Sequence, residues 1–121
     1  MKKIAVVEDN SDNRLLVQAI LDGSYEVVEY EDGPTALVGL KSDRPDLVLL
    51  DISLPGMDGV EVLREIRDDE DLAGLTVVAL TAHAMDGDRE RFLASGFDEY
   101  VSKPIVDEEG LLWLIERQLH D

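Results

Sequence analysis

The chain has 121 residues, enough for one compact domain over residues 1–121 and too few for two ordinary ones. Its 28 acids against 11 bases give a formal net charge of −17, which would repel a nucleic-acid backbone or an anionic lipid surface, and no basic cluster offers a docking patch. It contains no cysteine, which excludes a disulfide scaffold, a thiolate zinc site and a thiol nucleophile, and fits a cytoplasmic protein.

The first apolar run, Lys3 to Val7, is β-branched and predicts a strand. Glu8 and Asp9 end it too early for a signal peptide, and no run approaches the length of a membrane span. A helix follows with Asn10 or Ser11 at its start and Gly23 at its end. Its expected apolar face is Leu15, Leu16, Ala19 and Ile20, with Arg14 and Gln18 opposite. Glu26 to Tyr30 is a more polar strand, suited to a sheet edge. The second helix carries Pro34 near its start and Ala36, Leu37 and Leu40 on one stripe. The third strand is expected from Asp46 to Leu50, followed by a helix with Val62, Leu63 and Ile66 inward. The fourth is expected from Leu75 to Leu80, followed by a weaker helix from Asp86 to Ser95 that stops at Gly96. Glu99 to Ser102 is a short fifth strand, and the last helix carries Leu111, Leu112, Ile115 and Leu119 together.

Five such units in order imply an α/β fold: a parallel sheet with right-handed crossovers and helices on both faces. Ligands of such sheets sit at the carboxyl ends of the strands. The residues there are Glu8 and Asp9, then Asp51, Thr81 and Lys103. Three converging carboxylates need a cation among them, and a hard divalent ion such as Mg2+ would suit their oxygens. Lys103 would add positive charge and Thr81 a hydroxyl donor. Asp51 leaves an apolar strand and enters the turn-rich stretch Ile52-Ser53-Leu54-Pro55-Gly56-Met57-Asp58-Gly59. A carboxylate so placed, beside a metal and a lysine, can attack phosphorus.

Asp51 to Gly59 resembles the phosphoacceptor loop of the response-regulator receiver family of two-component signalling. Val7-Glu8-Asp9-Asn10 resembles its acidic metal-binding segment, and Leu80-Thr81-Ala82 and Tyr100-Val101-Ser102-Lys103-Pro104 are similar to its other two signatures. The matches fall in order over nearly the whole chain. The resemblance implies a flavodoxin-like five-stranded sheet of order 2-1-3-4-5. It implies that Asp51 takes a phosphoryl group from a sensor histidine kinase or a histidine phosphotransfer protein, in a reaction the domain itself catalyses although it is no enzyme. Asp9, Asp51 and the main-chain carbonyl of Ser53 would bind Mg2+ directly, with Glu8 acting through water. Lys103 and Thr81 would contact the phosphoryl oxygens, and a cis bond between Lys103 and Pro104 would aim the lysine inward. Thr81 and Tyr100 would form a switch that reshapes the surface of the fourth helix, fifth strand and fifth helix, where a downstream protein binds. Ser53 and His83 occupy the positions that tune the phosphoryl lifetime in this family. His83 either orients water or blocks it.

Two other readings compete. An aspartyl-nucleophile phosphatase would need a second aspartate two residues after Asp51, where Ser53 stands. A receiver that only binds would never carry the phosphoryl group. Trp113 and Leu114 lie off the last helix's inward stripe and are expected at a partner or homodimer surface on the output face. The pattern leaves open whether the chain is a stand-alone regulator or a piece of a longer one.

Overall fold

The computed structural model describes residues 1–82, 88–103 and 105–119. Strands β1 (Lys3–Val7), β2 (Glu26–Tyr30), β3 (Leu47–Asp51), β4 (Thr76–Thr81) and β5 (Glu99–Ser102) alternate with helices α1 (Ser11–Leu21), α2 (Gly33–Asp43), α3 (Gly59–Asp68), α4 (Asp88–Ser95) and α5 (Glu108–Leu119). All pairings are parallel, in the order β2-β1-β3-β4-β5. The polar strand β2 is an edge, as its composition requires, whereas β3 is buried at every residue. Among the described residues no helix is long and apolar enough to cross a membrane.

Side chains alternate across a strand, so each inner strand feeds two cores. Ala5, Val7, Val48, Leu50, Val77 and Ala79 pack under α2, α3 and α4, against Ala36, Leu40, Val62, Ile66 and Phe92. Ile4, Val6, Leu47, Leu49, Val78 and Leu80 pack on the opposite face, against Val17 and Leu21 of α1 and Leu111 and Ile115 of α5.

Helix starts are set by side-chain caps. Asn10 accepts from the Asn13 N–H at 3.0 Å, Asp32 from Thr35 at 2.8 Å and Asp58 from Glu61 at 2.9 Å. Gly23, at φ 83°, ends α1 in the left-handed region.

Two sequence expectations need correction. Strands β3 and β4 begin and end one residue later than the apolar runs suggest. Asp51 and Thr81 stay in the ladder, with Asp51 beside Leu80 and Thr81 beside Ser102. The buried side of α1 is Leu16, Val17, Ile20 and Leu21, while Ala19 is exposed and Leu15 is 65% exposed. The helix is turned because its inward stripe starts at a polar residue, half-buried Asn13, which faces the strand ends. Of the two residues off the inward stripe of α5, Trp113 is 62% exposed and Leu114 is half-buried at the edge of the α1–α5 core. The expected start of the fourth helix at Asp86 falls outside the described residues, as do His83 and Pro104 with its peptide bond.

At the opposite end of the sheet from Asp51, Arg67 closes the base of the fold. Its guanidinium donates to the carbonyls of Gly96 (3.1 and 2.8 Å), Ala73 (2.9 Å) and Leu75 (2.6 Å), and to Asp98 Oδ2 (3.1 Å).

Candidate functional site

The C-terminal ends of β1 and β3 bring Glu8, Asp9 and Asp51 together, with one carboxylate oxygen from each lying within 4.8 Å of the others. Glu8 and Asp51 are each 1% exposed, while Asp9 is at the surface. Two buried carboxylates this close demand compensation. Lys103, just past β5, supplies it: its Nζ lies 3.0 Å from Glu8 Oε1 and 3.1 Å from Asp51 Oδ2. Burial pushes the Lys103 ammonium down, but hydrogen bonds to Glu8 and Asp51 and their charges outweigh it, so the pKa lies above the ordinary lysine value. The lysine is therefore a fixed cation at neutral pH.

The backbone aims these groups. The Lys103 N–H donates to the Thr81 carbonyl at 2.7 Å, which anchors the exit of β5 beside the end of β4. Thr81 is buried, one residue beyond the rung that Asp51 shares with Leu80. Asp51 Oδ1 accepts from the Ser53 N–H at 3.0 Å, while Ser53 itself is exposed. Gly59 opens α3 directly against Asp51, where a Cβ would lie 2.2 Å from the Asp51 carbonyl oxygen. That contact explains the glycine and places the start of α3 next to the site.

Sequence reasoning missed two supports, both on α1. Asn13 Nδ2 donates to Glu8 Oε1 at 2.9 Å, and Arg14 donates to the Glu8 carbonyl at 2.7 Å while pairing with Glu29 at 3.3 Å. The available signal was a polar residue, Asn13, four positions before buried Val17. Tyr100 is half-buried, with its ring tilted against Phe92 at 5.7 Å. Arg89 and Arg91 pair with Glu99 and Asp88 at the surface, away from the carboxylates.

Hard oxygen ligands, a buried aspartate and a fixed ammonium suit a divalent cation such as Mg2+ together with a phosphoryl group. They sit at the strand ends of a 2-1-3-4-5 parallel sheet, and that combination defines an α/β signalling module compatible with phosphorylation on aspartate. The chain belongs to the response regulator receiver domain family, whose model matches residues 4–116.

It is 42% identical over 105 residues to the polar-differentiation response regulator DivK of Brucella anthropi, covering 86% of this chain and 85% of that protein. Among solved structures it resembles the receiver domain of the sensor histidine kinase PA1611 from Pseudomonas aeruginosa, at 35% identity and a TM-score of 0.88 over 99% of this chain and 98% of that one. That receiver was crystallised with magnesium coordinated in its active-site cleft. The chemotaxis protein CheY4 of Vibrio cholerae superposes with a TM-score of 0.89 at 28% identity, over 98% of this chain and 99% of that one.

Proposed function

We propose that residues 1–121 form one receiver domain that accepts a phosphoryl group on Asp51 from a phosphohistidine of a sensor kinase or phosphotransfer protein. The observation that carries this reading is Lys103 Nζ held between Glu8 and Asp51 at 3.0 and 3.1 Å. In the transfer, an Asp51 carboxylate oxygen forms the new P–O bond as the P–N bond to the donor imidazole breaks; the donor ring carries a proton on its other nitrogen and so leaves as neutral imidazole. Lys103 stays protonated and faces the phosphoryl oxygens, and the Thr81 hydroxyl donates to one of them. The residues that fit Mg2+ are Asp9, Asp51 and the Ser53 carbonyl, with Glu8 acting through water. A bound Mg2+ would supply neutralising charge to the phosphoryl oxygens. Ser53, where a phosphatase would need its second aspartate, favours acceptance over turnover on phosphoesters.

The output runs through Thr81 and Tyr100 to the face of α4, β5 and α5. Tyr100, Ile105, Val106, Leu111 and Leu114 line an open groove of about 310 Å³ there, and Val106 and Trp113 stand exposed. This apolar surface suits a downstream protein or a second copy of the chain in the cytoplasm. Ser53 and His83 set the lifetime of the phosphoryl group.

The test is intact mass after incubation with Mg2+ and acetyl phosphate. One added phosphoryl group is expected, absent without Mg2+ and absent in Asp51→Asn. No adduct, together with no binding of beryllofluoride, would refute phosphoryl acceptance and leave a receiver that only binds.

A further inference from the structure

The polar contacts around Glu8 extend beyond the residues that touch the phosphoryl group. Glu8 is buried, and a buried carboxylate must have its lone pairs satisfied. Oε1 accepts from Lys103 Nζ at 3.0 Å and from Asn13 Nδ2 at 2.9 Å, while Oε2, among the described residues, meets only the long 3.4 Å contact from the Asn10 N–H. Leu16, Val17, Leu80 and Ile105 wall this corner, so little water can replace a lost donor. Asn13 is itself fixed, because its main-chain N–H is held by Asn10 Oδ1 at 3.0 Å in the first turn of α1.

We infer that Asn13 is a positioning residue for phosphoryl transfer: its amide satisfies part of Glu8 and so keeps Lys103 shared between Glu8 and Asp51. This rests on the receiver reading above. Lys103 faces two carboxylates at nearly equal distance, 3.0 and 3.1 Å, and that balance depends on what else each carboxylate accepts. Without the amide, Glu8 carries more unsatisfied charge and draws the ammonium away from Asp51. Its carboxylate also becomes free to rotate, which blurs the water-mediated face it offers Mg2+. A neutral donor is the chemistry this position needs. An aspartate would add another carboxylate, and a lysine would compete with Lys103.

The experiment uses the full chain with Asn13→Ala, Asn13→Asp and Asp32→Ala. Mg2+ affinity of the unphosphorylated protein is read by calorimetry. Phosphorylation by acetyl phosphate is followed against Mg2+ concentration, to separate the limiting rate from the apparent Mg2+ constant. Loss of an outer partner of a ligating group weakens metal binding or activity by about 10-fold or more. Asn13→Ala is expected to lose about 10-fold in Mg2+ affinity and a similar factor in limiting rate. Asn13→Asp has the same shape without the donor and should lose limiting rate as well, which decides the matter if the alanine variant does not fold. Asp32→Ala removes a helix cap elsewhere, the bond from the Thr35 N–H at the start of α2, so it should lower the melting temperature and leave both readouts near the parent. Parental limiting rates in the folded Asn13 variants would overturn the inference alone, as would equal losses in Asp32→Ala. A parent that neither binds Mg2+ nor gains the adduct would overturn the receiver reading and this inference with it.

Discussion

Replacing Gly59 by alanine sets helix propensity against packing at the site itself. Alanine is favoured over glycine within a helix by about 1 kcal/mol, and less at the first helical residue, which Gly59 is. Against that, the new Cβ would sit 2.2 Å from the Asp51 carbonyl oxygen and 2.7 Å from the Ile52 Cα. Both neighbours are backbone, so no side chain can swing aside. Relief to a tolerable contact of about 3 Å requires α3 and the end of β3 to part by roughly 0.8 Å, and overpacking of this kind costs about 1–3 kcal/mol. The unyielding neighbour puts the cost at the upper end, for a net loss of roughly 2 kcal/mol after the propensity gain. The displaced group is the proposed phosphoacceptor, and a misplacement near 1 Å at a reacting centre costs up to about 100-fold in rate. Urea titration and the acetyl phosphate assay read the two effects. Gly74→Ala is the control: nothing lies within 4 Å of its Cβ, so it should be neutral or stabilising by about 0.5 kcal/mol. A Gly59→Ala variant with parental stability and parental phosphorylation rate would refute the packing argument.

Arg67→Met keeps much of the aliphatic stem but removes donors to three carbonyls and Asp98. Leaving such acceptors unsatisfied should cost about 3 kcal/mol in urea titration, and a loss under about 0.5 kcal/mol would contradict the clamp. The Tyr30 phenol is pushed above its ordinary value of 10.0, first by burial and then by its hydrogen bond to Asp43 and that residue's charge. A raised folded pKa favours the protonated phenol, so its contribution to stability is complete below pH 10.0 and lost as pH rises from there through the folded value. Alkaline titration of tyrosinate absorbance in the folded protein should show a late phase that vanishes in Tyr30→Phe, and its persistence there would refute the assignment.

The strands were legible because fully buried parallel strands leave unbroken apolar runs such as Leu47 to Leu50. The one-residue shift at their ends has a physical source: Asp51 and Thr81 are polar, yet the ladder continues through them. The candidate site was legible because each of its residues directly follows a run. The turn of α1 was not, because apolar periodicity cannot see that Asn13 belongs to the inward stripe. Nor could it see the Arg67 clamp, whose partners are mostly main-chain carbonyls and carry no sequence signal.

Glu8 and Lys103 are 95 residues apart in sequence, yet they share one hydrogen bond at the centre of the site. The N-terminal strand lies inside the sheet, and the last strand must dock at the far edge before the ammonium arrives. A chain still emerging from the ribosome, or one with its final strand detached, holds the acids without their counter-charge. The carboxylate–ammonium pairing thus requires β1 inside the sheet and β5 at its edge together, so it reports on the integrity of the sheet as a whole.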